Sequence, residues 1–364
     1  MTHPDVLVLG GGIIGLACAR ELALRGLRVE IVERLPAGSE ASLASAGMLA
    51  PLGDFPAAGP FLDACRASRD LWGPWVAALE SETGLGADYD TSGGLLVALD
   101  EEDEAELGRL ASLARELGEG AEDVEPAALR RWVPDITPAV RRALHLPGEH
   151  RVDNVQLCAV LAQAAQKLGV ILHYDSEVVR VEHRPEGSVL VSGQHWRKEA
   201  RLLVLAAGAW SGLMPELPPL PVRPVRGQIV LLGGIGWPWS GSVRRGASYV
   251  VRRGATGLLV GSTLEEAGFE KHNTAAGVES LLAFARQLLP GIGEARLETI
   301  WAGLRPGTAD DLPVIGPLPG WPAIAATGHY RNGILLAPWT AREVARLALT
   351  GGEAEVPAFS PRRF

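Results

Sequence analysis

Cysteine is scarce in this chain: Cys18, Cys65 and Cys158 are the only three among 364 residues. They are widely spaced and form no CxxC pair and no metal-ligand cluster. That excludes a disulfide-stapled or zinc-ribbon scaffold and fits buried thiols in a reducing compartment. No run of about 18 uninterrupted apolar residues occurs, so no transmembrane helix and no membrane partner is expected. Positive charge is also short, with 34 Lys plus Arg against 43 Asp plus Glu, a formal net charge of -9. Such a balance argues against non-specific nucleic-acid binding, which needs a basic surface. HExxH, P-loop and paired-carboxylate spacings are missing, as are internal repeats and low-complexity segments. The apolar start of the chain lacks the basic n-region of a signal peptide, so a cytoplasmic location is expected. With 47% hydrophobic and 21% charged residues, the chain has enough material for a large core and two lobes.

Glycine, in contrast, is abundant at 44 residues, so an isolated glycine motif would mean little. The first one is not isolated. Asp5-Val-Leu-Val-Leu9 reads as a buried strand and feeds Gly10-Gly-Gly-Ile-Ile-Gly15, which fits GxGxxG at Gly10, Gly12 and Gly15. Leu16 to Gly26 then reads as a helix, and Arg28-Val-Glu-Ile-Val-Glu33 as a second strand ending in an acid. This is the strand–helix–strand unit of a dinucleotide site. Gly10 serves the tight turn, Gly12 the approach of backbone to a pyrophosphate, and Gly15 the close packing of helix on strand. The helix N-terminus offers N–H groups and a positive dipole end. Glu33 would accept ribose hydroxyls and repel a 2′-phosphate. The motif alone leaves NAD and FAD both open.

After a Pro/Gly-containing loop from Arg34 to Glu40 comes Ala41-Ser-Leu-Ala-Ser-Ala-Gly-Met-Leu-Ala-Pro51, built from small residues. It suits either a flat ligand lying against backbone, with Ser42 and Ser45 offering hydroxyls, or a small-residue helix start packed on the sheet. Helices are expected over Phe61–Thr83, Glu101–Leu117 and, capped by Asp153, up to Gly169; the acids of the second are a solvated face. Strands are expected at Gly93–Leu99, Val170–Leu172, Val178–Val181 and Leu202–Leu205, the last running into small residues Ala206, Ala207 and Gly208 before Trp210. Glu119–Asp123 reads as a loop. From Val222 strand-like segments alternate with turns (Gln228–Leu232, Ser248–Arg252, Leu258–Ser262, Leu297–Ile300), interrupted by a helix at Ala276–Leu289. That pattern predicts an antiparallel sheet in a second lobe. Trp301 is where the chain is expected to return to the first lobe, with a strand at Ile324–Thr327, a loop at His329–Gly333 and a final helix from Thr340. The fold class is therefore α/β: a doubly wound Rossmann-like domain over 1–85, 145–220 and 301–364, with an inserted antiparallel-sheet substrate domain over 86–144 and 221–300.

Two arginines stand out. Arg305 in Trp301-Ala-Gly-Leu-Arg-Pro-Gly307 and Arg331 in Gly328-His-Tyr-Arg-Asn-Gly-Ile-Leu335 are flanked by glycine and apolar residues. A partly buried guanidinium needs an anion, and its fork matches a carboxylate at two points. A bound carboxylate and an internal Asp or Glu are equally good partners at this level. Tyr249, one of four tyrosines, sits mid-strand and can assist a carboxylate or simply fill core. His329 reads as structural. The N–H groups of Asn332-Gly-Ile-Leu335 are placed to polarise a cofactor carbonyl.

Taken together, Gly10–Gly15 with Glu33, Ala41–Pro51, Leu203–Ser211, Tyr249–Leu264, Trp301–Gly316 and Gly328–Pro338 resemble the glycine oxidases of thiamine biosynthesis, within the D-amino-acid oxidase group of FAD-dependent amine oxidases. The order and spacing run the full chain, and "SAGMLAP" and "AGLRPGT…GHYRNGILLAP" belong to this branch. The resemblance implies non-covalent FAD, since the tethering cysteine of related sarcosine oxidases has no counterpart after Cys158. It implies that Gly10, Gly12, Ile14 and Gly15 contact the pyrophosphate region and that Glu33 and Arg34 lie at the adenosine end, with Val178 contacting adenine through its backbone. Ser42, Ala46, Gly47, Met48, Ala207, Gly208 and Trp210 would line the flavin; Arg331, Asn332, Gly333, Ile334 and Leu335 would lie at its carbonyl end. Arg305 matches the carboxylate-binding arginine, with Tyr249, Arg331 and Met48 beside the substrate. No metal and no side-chain acid or base is implied. The implied reaction is oxidation of glycine, sarcosine or small D-amino acids by hydride transfer, with oxygen giving hydrogen peroxide, in a homotetramer. A D-amino-acid dehydrogenase and a non-catalytic nucleotide-binding protein are the alternatives. The chain departs from the family at Leu264, where methionine is usual, and at Arg252-Arg253, where Pro-Arg is usual.

Overall fold

The computed structural model describes residues 3–52 and 58–364. Strand β1 (Val6–Leu9) is fully buried and leads through the glycine turn into helix α1 (Ile13–Leu24) and strand β2 (Val29–Val32). The helix begins at Ile13 rather than Leu16 because Ile13 and Ile14 already face the interior. Helix α2 (Pro60–Thr83), helix α3 (Asn154–Lys167) and strand β3 (Leu202–Leu205) follow. The first sheet has six strands in the order Val314–Pro317, Ala323–Thr327, β3, β1, β2, Ile171–His173. All neighbours are parallel except the first two. Strand order reverses between β2 and β3 around β1, and the crevice beyond the carboxyl ends at such a point is where doubly wound sheets take ligands.

The second sheet has eight strands, antiparallel apart from the pairing of Gly94–Ala98 with Ser242–Arg245. Strands β4 (Arg223–Gly233), β5 (Ser248–Arg253), β6 (Gly257–Gly261) and β7 (Arg296–Gly307) form one end, in the order β7-β4-β6-β5. A mixed α/β fold with one mainly parallel and one antiparallel sheet is thus as expected. Two expected boundaries, at 145 and 301, fall inside strands of the second sheet. Arg142–Leu146 pairs with Gly94–Ala98, and β7 stays bonded to β4 as far as Arg223 opposite Gly307. Gly303, Pro306 and Gly307 read as loop residues in isolation; a twelve-residue ladder overrides that preference.

Smaller elements depart from the reading for the same non-local reason. Glu122–Asp123 pairs with the strand at 142–146, and the strand expected from Val178 begins at Arg180 in a three-stranded sheet with Val189–Ser192 and Arg197–Ala200. A short helix, Pro126–Trp132, lies outside the expected elements.

The last helix, α4, spans Gly333–Thr350, starting seven residues before Thr340. Pro338 lies inside it, where it has no N–H for the carbonyl of Ile334 and its ring crowds the preceding turn. The next carbonyl, that of Leu335, takes two donors from α2: Ser68 Oγ at 2.6 Å and Trp72 Nε1 at 3.0 Å, both buried. Ser68→Ala is expected to cost about 1 kcal/mol, and Trp72→Phe at least as much because packing area is lost too. Denaturant midpoints check both; an unchanged midpoint in Ser68→Ala would show that the α2 donors do not support the proline turn.

Candidate active site

One cleft of about 1820 Å³, counting its solvent-open mouth, is lined by the carboxyl ends of β1 and β2, the residues after β3 and the inner face of the antiparallel sheet. At its floor Gly10 has φ +108° and approaches the chain after β3 so closely that a Cβ would overlap the carbonyl of Ala206. Gly15 does not line the cleft; a Cβ there would overlap the carbonyl of Gly10, so its role is the contact of α1 with β1. Gly12 and Ile14 do line it. Glu33 sits at the end of β2 with one oxygen accepting the Gly11 N–H (2.6 Å) and the other the Leu35 N–H (2.9 Å). Each carboxylate oxygen keeps acceptor capacity beyond these bonds, and Glu33 lines the cleft.

The small-residue segment after Glu40 follows the wall. Ser42 Oγ accepts the Ile13 N–H at 2.9 Å, capping the first turn of α1 from outside the helix, while Ser45 donates to the Ser42 carbonyl. Ala46, Gly47 and Met48 line the cleft, and Gly47 (φ +72°) lies against the Val152 carbonyl with no room for a Cβ. Behind this segment Asn154, fully buried at the start of α3, donates to the carbonyls of Ser42 (2.6 Å) and Leu43 (3.1 Å). Its own oxygen accepts Arg253 from β5 at 2.6 Å, and Arg253 also pairs with Asp153 at 2.8 Å. Asp153 Oδ1 caps α3 by accepting the Val155 and Gln156 N–H groups. Burial opposes the Asp153 charge, but Arg253 and these N–H groups outweigh it and leave its carboxyl below the usual carboxylate range. The second arginine of the unusual Arg252-Arg253 pair therefore ties the antiparallel sheet to the nucleotide-motif wall; Arg252 donates to the Gly254 carbonyl instead.

At the opposite wall Val178, Ala207, Gly208 and Trp210 line the cleft, as do Ser176 and Glu177. Arg34 lies 3.9 Å over the Trp210 ring and pairs with Glu40 at 2.7 Å. At the sheet end, Arg305 on β7 is half-buried, with Nη2 donating to Ser262 Oγ (2.6 Å) and Nη1 to the Thr263 carbonyl (3.2 Å). Tyr249 on β5, directly opposite Gly261 on β6, is buried and faces the same cavity. Arg331 also lines it but is exposed at the rim, contrary to the expected partial burial. Gly333 and Ile334, the first residues of α4, reach the cleft; Asn332 and Leu335 do not, and the Leu335 carbonyl is turned into the α2 contact. Cleft residues missed in the sequence include Ser262, Thr263, Met214, Thr327 and Tyr330. Tyr330 lay inside the quoted Gly328–Leu335 motif; its N–H donates to the Pro306 carbonyl, binding this loop to the end of β7.

His329 lines the cleft from within, buried, with Nε2 3.0 Å from Thr340 Oγ1. Burial alone pushes its imidazole down to about 3. All three cysteines are buried in helices, and none lines the cleft. Among the described residues no cluster of three His, Cys, Asp or Glu suits a metal ion, and no helix is long and apolar enough to cross a membrane.

A sequence model of the FAD dependent oxidoreductase family matches residues 5–347. The chain belongs to this family. It is 37% identical over 347 residues, covering 94% of each chain, to a glycine oxidase of Pseudomonas aeruginosa. It is 38% identical over 370 residues to a bifunctional protein ThiO/ThiG of Synechocystis sp., matching all of this chain and 54% of that one. The chain thus spans about half the length of the bifunctional relatives. The crystal structure of a glycine oxidase from Geobacillus kaustophilus superposes with a TM-score of 0.93 at 33% identity, over the whole of both chains.

The cleft of this FAD-dependent oxidoreductase fits FAD on its own geometry. The glycine turn leaves backbone bare where a Cβ would fill the cradle, Glu33 keeps lone pairs for a ribose, and no thiol is within the cavity to tether a flavin.

The neutral His329 makes stability pH-dependent. Its folded pKa lies below the ordinary 6.5, so the unfolded chain binds the extra proton. The contribution is fully present above pH 6.5 and is lost progressively as pH falls towards 3, by up to about 1.4 kcal/mol per pH unit. His150, lowered by burial and by Arg69, adds a part of the same sign. Unfolding free energies measured between pH 6.5 and 5 should fall on acidification, less steeply in His329→Gln; equal slopes would rule out a buried neutral imidazole.

Proposed function

We propose that this protein oxidises glycine, and with it sarcosine and small D-amino acids, using non-covalent FAD and oxygen. The observation that carries this reading is the half-buried guanidinium of Arg305 on the cleft-facing side of the antiparallel sheet, in the same cavity as the α1 turn and Glu33. A long cleft with an adenosine-type end and a carboxylate-type end suits a dinucleotide with a small acid beyond it.

In this reading Gly10, Gly12 and Ile14 flank the pyrophosphate, Glu33 takes the ribose hydroxyls, and Arg34 and Val178 border the adenosine. Ser42, Ala46, Gly47, Met48, Ala207, Gly208 and Trp210 border the flavin. Gly333 and Ile334 present N–H groups of the α4 terminus to its carbonyl end, with Asn332 and Leu335 supporting that turn from behind. Bound FAD supplies the two-electron acceptor that no side chain provides. Arg305 then grips the substrate carboxylate through its fork, and the Tyr249 hydroxyl and the rim cation Arg331 add to that hold. An amino acid fixed at its anionic end presents its Cα–H in one direction. His329 is far too weak a base to take a proton at neutral pH and is occupied by Thr340, so it is not the base. For glycine the balance is one oxygen and one water consumed, with glyoxylate, ammonia and hydrogen peroxide formed. We assign the reaction to the thiazole step of thiamine synthesis, in a cytoplasmic homo-oligomer, by similarity to the glycine oxidase relatives.

The test is a peroxide assay on the yellow protein across glycine, sarcosine and small D-amino acids. Arg305→Ala is expected to raise KM for glycine by at least about 30-fold, the equivalent of a lost buried charge contact of about 2 kcal/mol or more, with the flavin spectrum intact. A normal KM in that variant overturns the carboxylate role. Bleaching by substrate without peroxide in air points instead to a dehydrogenase.

A further inference from the structure

We propose that Gly227 is a positioning residue: its bare Cα on β4 is the surface on which the Arg305 guanidinium lies, and this fixes where the charge points. The proposal rests on Arg305 binding the substrate carboxylate.

In the ladder between β4 and β7, Gly227 stands directly opposite Gly303, and Arg305 stands opposite Val225. Residues two apart on a strand share a face, so Gly227, Gly303 and Arg305 lie on one side of the sheet. A Cβ built on Gly227 would overlap Nη1, Nη2 and Cζ of Arg305. Gly227 is not among the glycines with positive φ, so its backbone conformation does not demand glycine; the space does. The neighbouring strands repeat the device. A Cβ on Gly261 would overlap the Tyr249 ring that lies across it, and one on Gly303 would overlap the Cβ of Ala44. Arg305 and Tyr249 therefore recline on bare strand instead of standing off the sheet.

Ser262 Oγ and the Thr263 carbonyl hold the guanidinium edge, while Gly227 sets its height above the strand. Edge and height together leave a planar group one orientation. The overlapped atoms are the end of a flexible side chain, so alanine at 227 need not move backbone. It would lift the guanidinium by about 1 Å to regain ordinary van der Waals separation. A displacement of that size at a group that orients substrate costs up to about 100-fold.

The test uses the FAD-loaded protein with Gly227→Ala, Arg305→Ala and the double variant. Gly227→Ala is expected to raise KM for glycine by about 10- to 100-fold, with a smaller change in kcat and an unaltered flavin spectrum. The dissociation constant for acetate, titrated by flavin absorbance, should rise by a similar factor. Because Gly227 acts only through Arg305, adding Gly227→Ala to Arg305→Ala should raise KM no further. A wild-type KM in Gly227→Ala beside an impaired Arg305→Ala overturns the positioning role and leaves the carboxylate assignment standing. A normal KM in Arg305→Ala removes that assignment and the proposal with it. Additive losses in the double variant also overturn the proposal. If Gly227→Ala fails to fold, recovery of folding in the double variant supports the overlap with Arg305, and persistent failure overturns it.

Discussion

A buried amide, that of Asn154, links the two sheets. Asn154 donates to the backbone of the small-residue wall and accepts Arg253 from the antiparallel sheet, while Ser42 in that wall caps the first turn of α1. Three segments far apart in sequence are thereby held in one hydrogen-bonded chain. A fully buried carboxamide must satisfy both its ends, and here each end reaches a different part of the molecule. This chain of contacts spans from the glycine turn to the strand carrying Tyr249.

What was legible in the sequence was local. Val6 to Glu33 carries its strand, turn, helix and acid in consecutive order, and every part is where its chemistry requires. The Asp153 cap was equally plain; the caps by Asp100 and Thr274 were not read. The parts that depend on pairing over long separations were not legible. Trp301–Gly307 has the glycines and proline of a loop, and only its bonding to β4 makes it strand. The last helix is expected from Thr340, whereas it begins at Gly333 with Pro338 inside it; the Ser68 and Trp72 donors to the Leu335 carbonyl lie 267 and 263 residues away on α2.

The site divided along the same line. Arg305 and Tyr249 were visible as unusual residues in apolar settings, but the groups that aim them were not. Ser262 and Thr263 reach Arg305 only through the pairing of β4 with both β6 and β7. Arg331 shows the opposite error: glycine and apolar neighbours suggested burial, yet it belongs to a turn that carries the side chain out to the rim. Flanking composition reports a segment's surroundings and not the direction of one side chain within it.

The placement of the three thiols has a chemical consequence. Oxidants such as hydrogen peroxide attack sulfur as thiolate. Cys18 and Cys158 are pushed well towards the protonated form by burial, and Cys65 is shut away in a helix core. A chain so arranged offers an oxidant no reactive sulfhydryl.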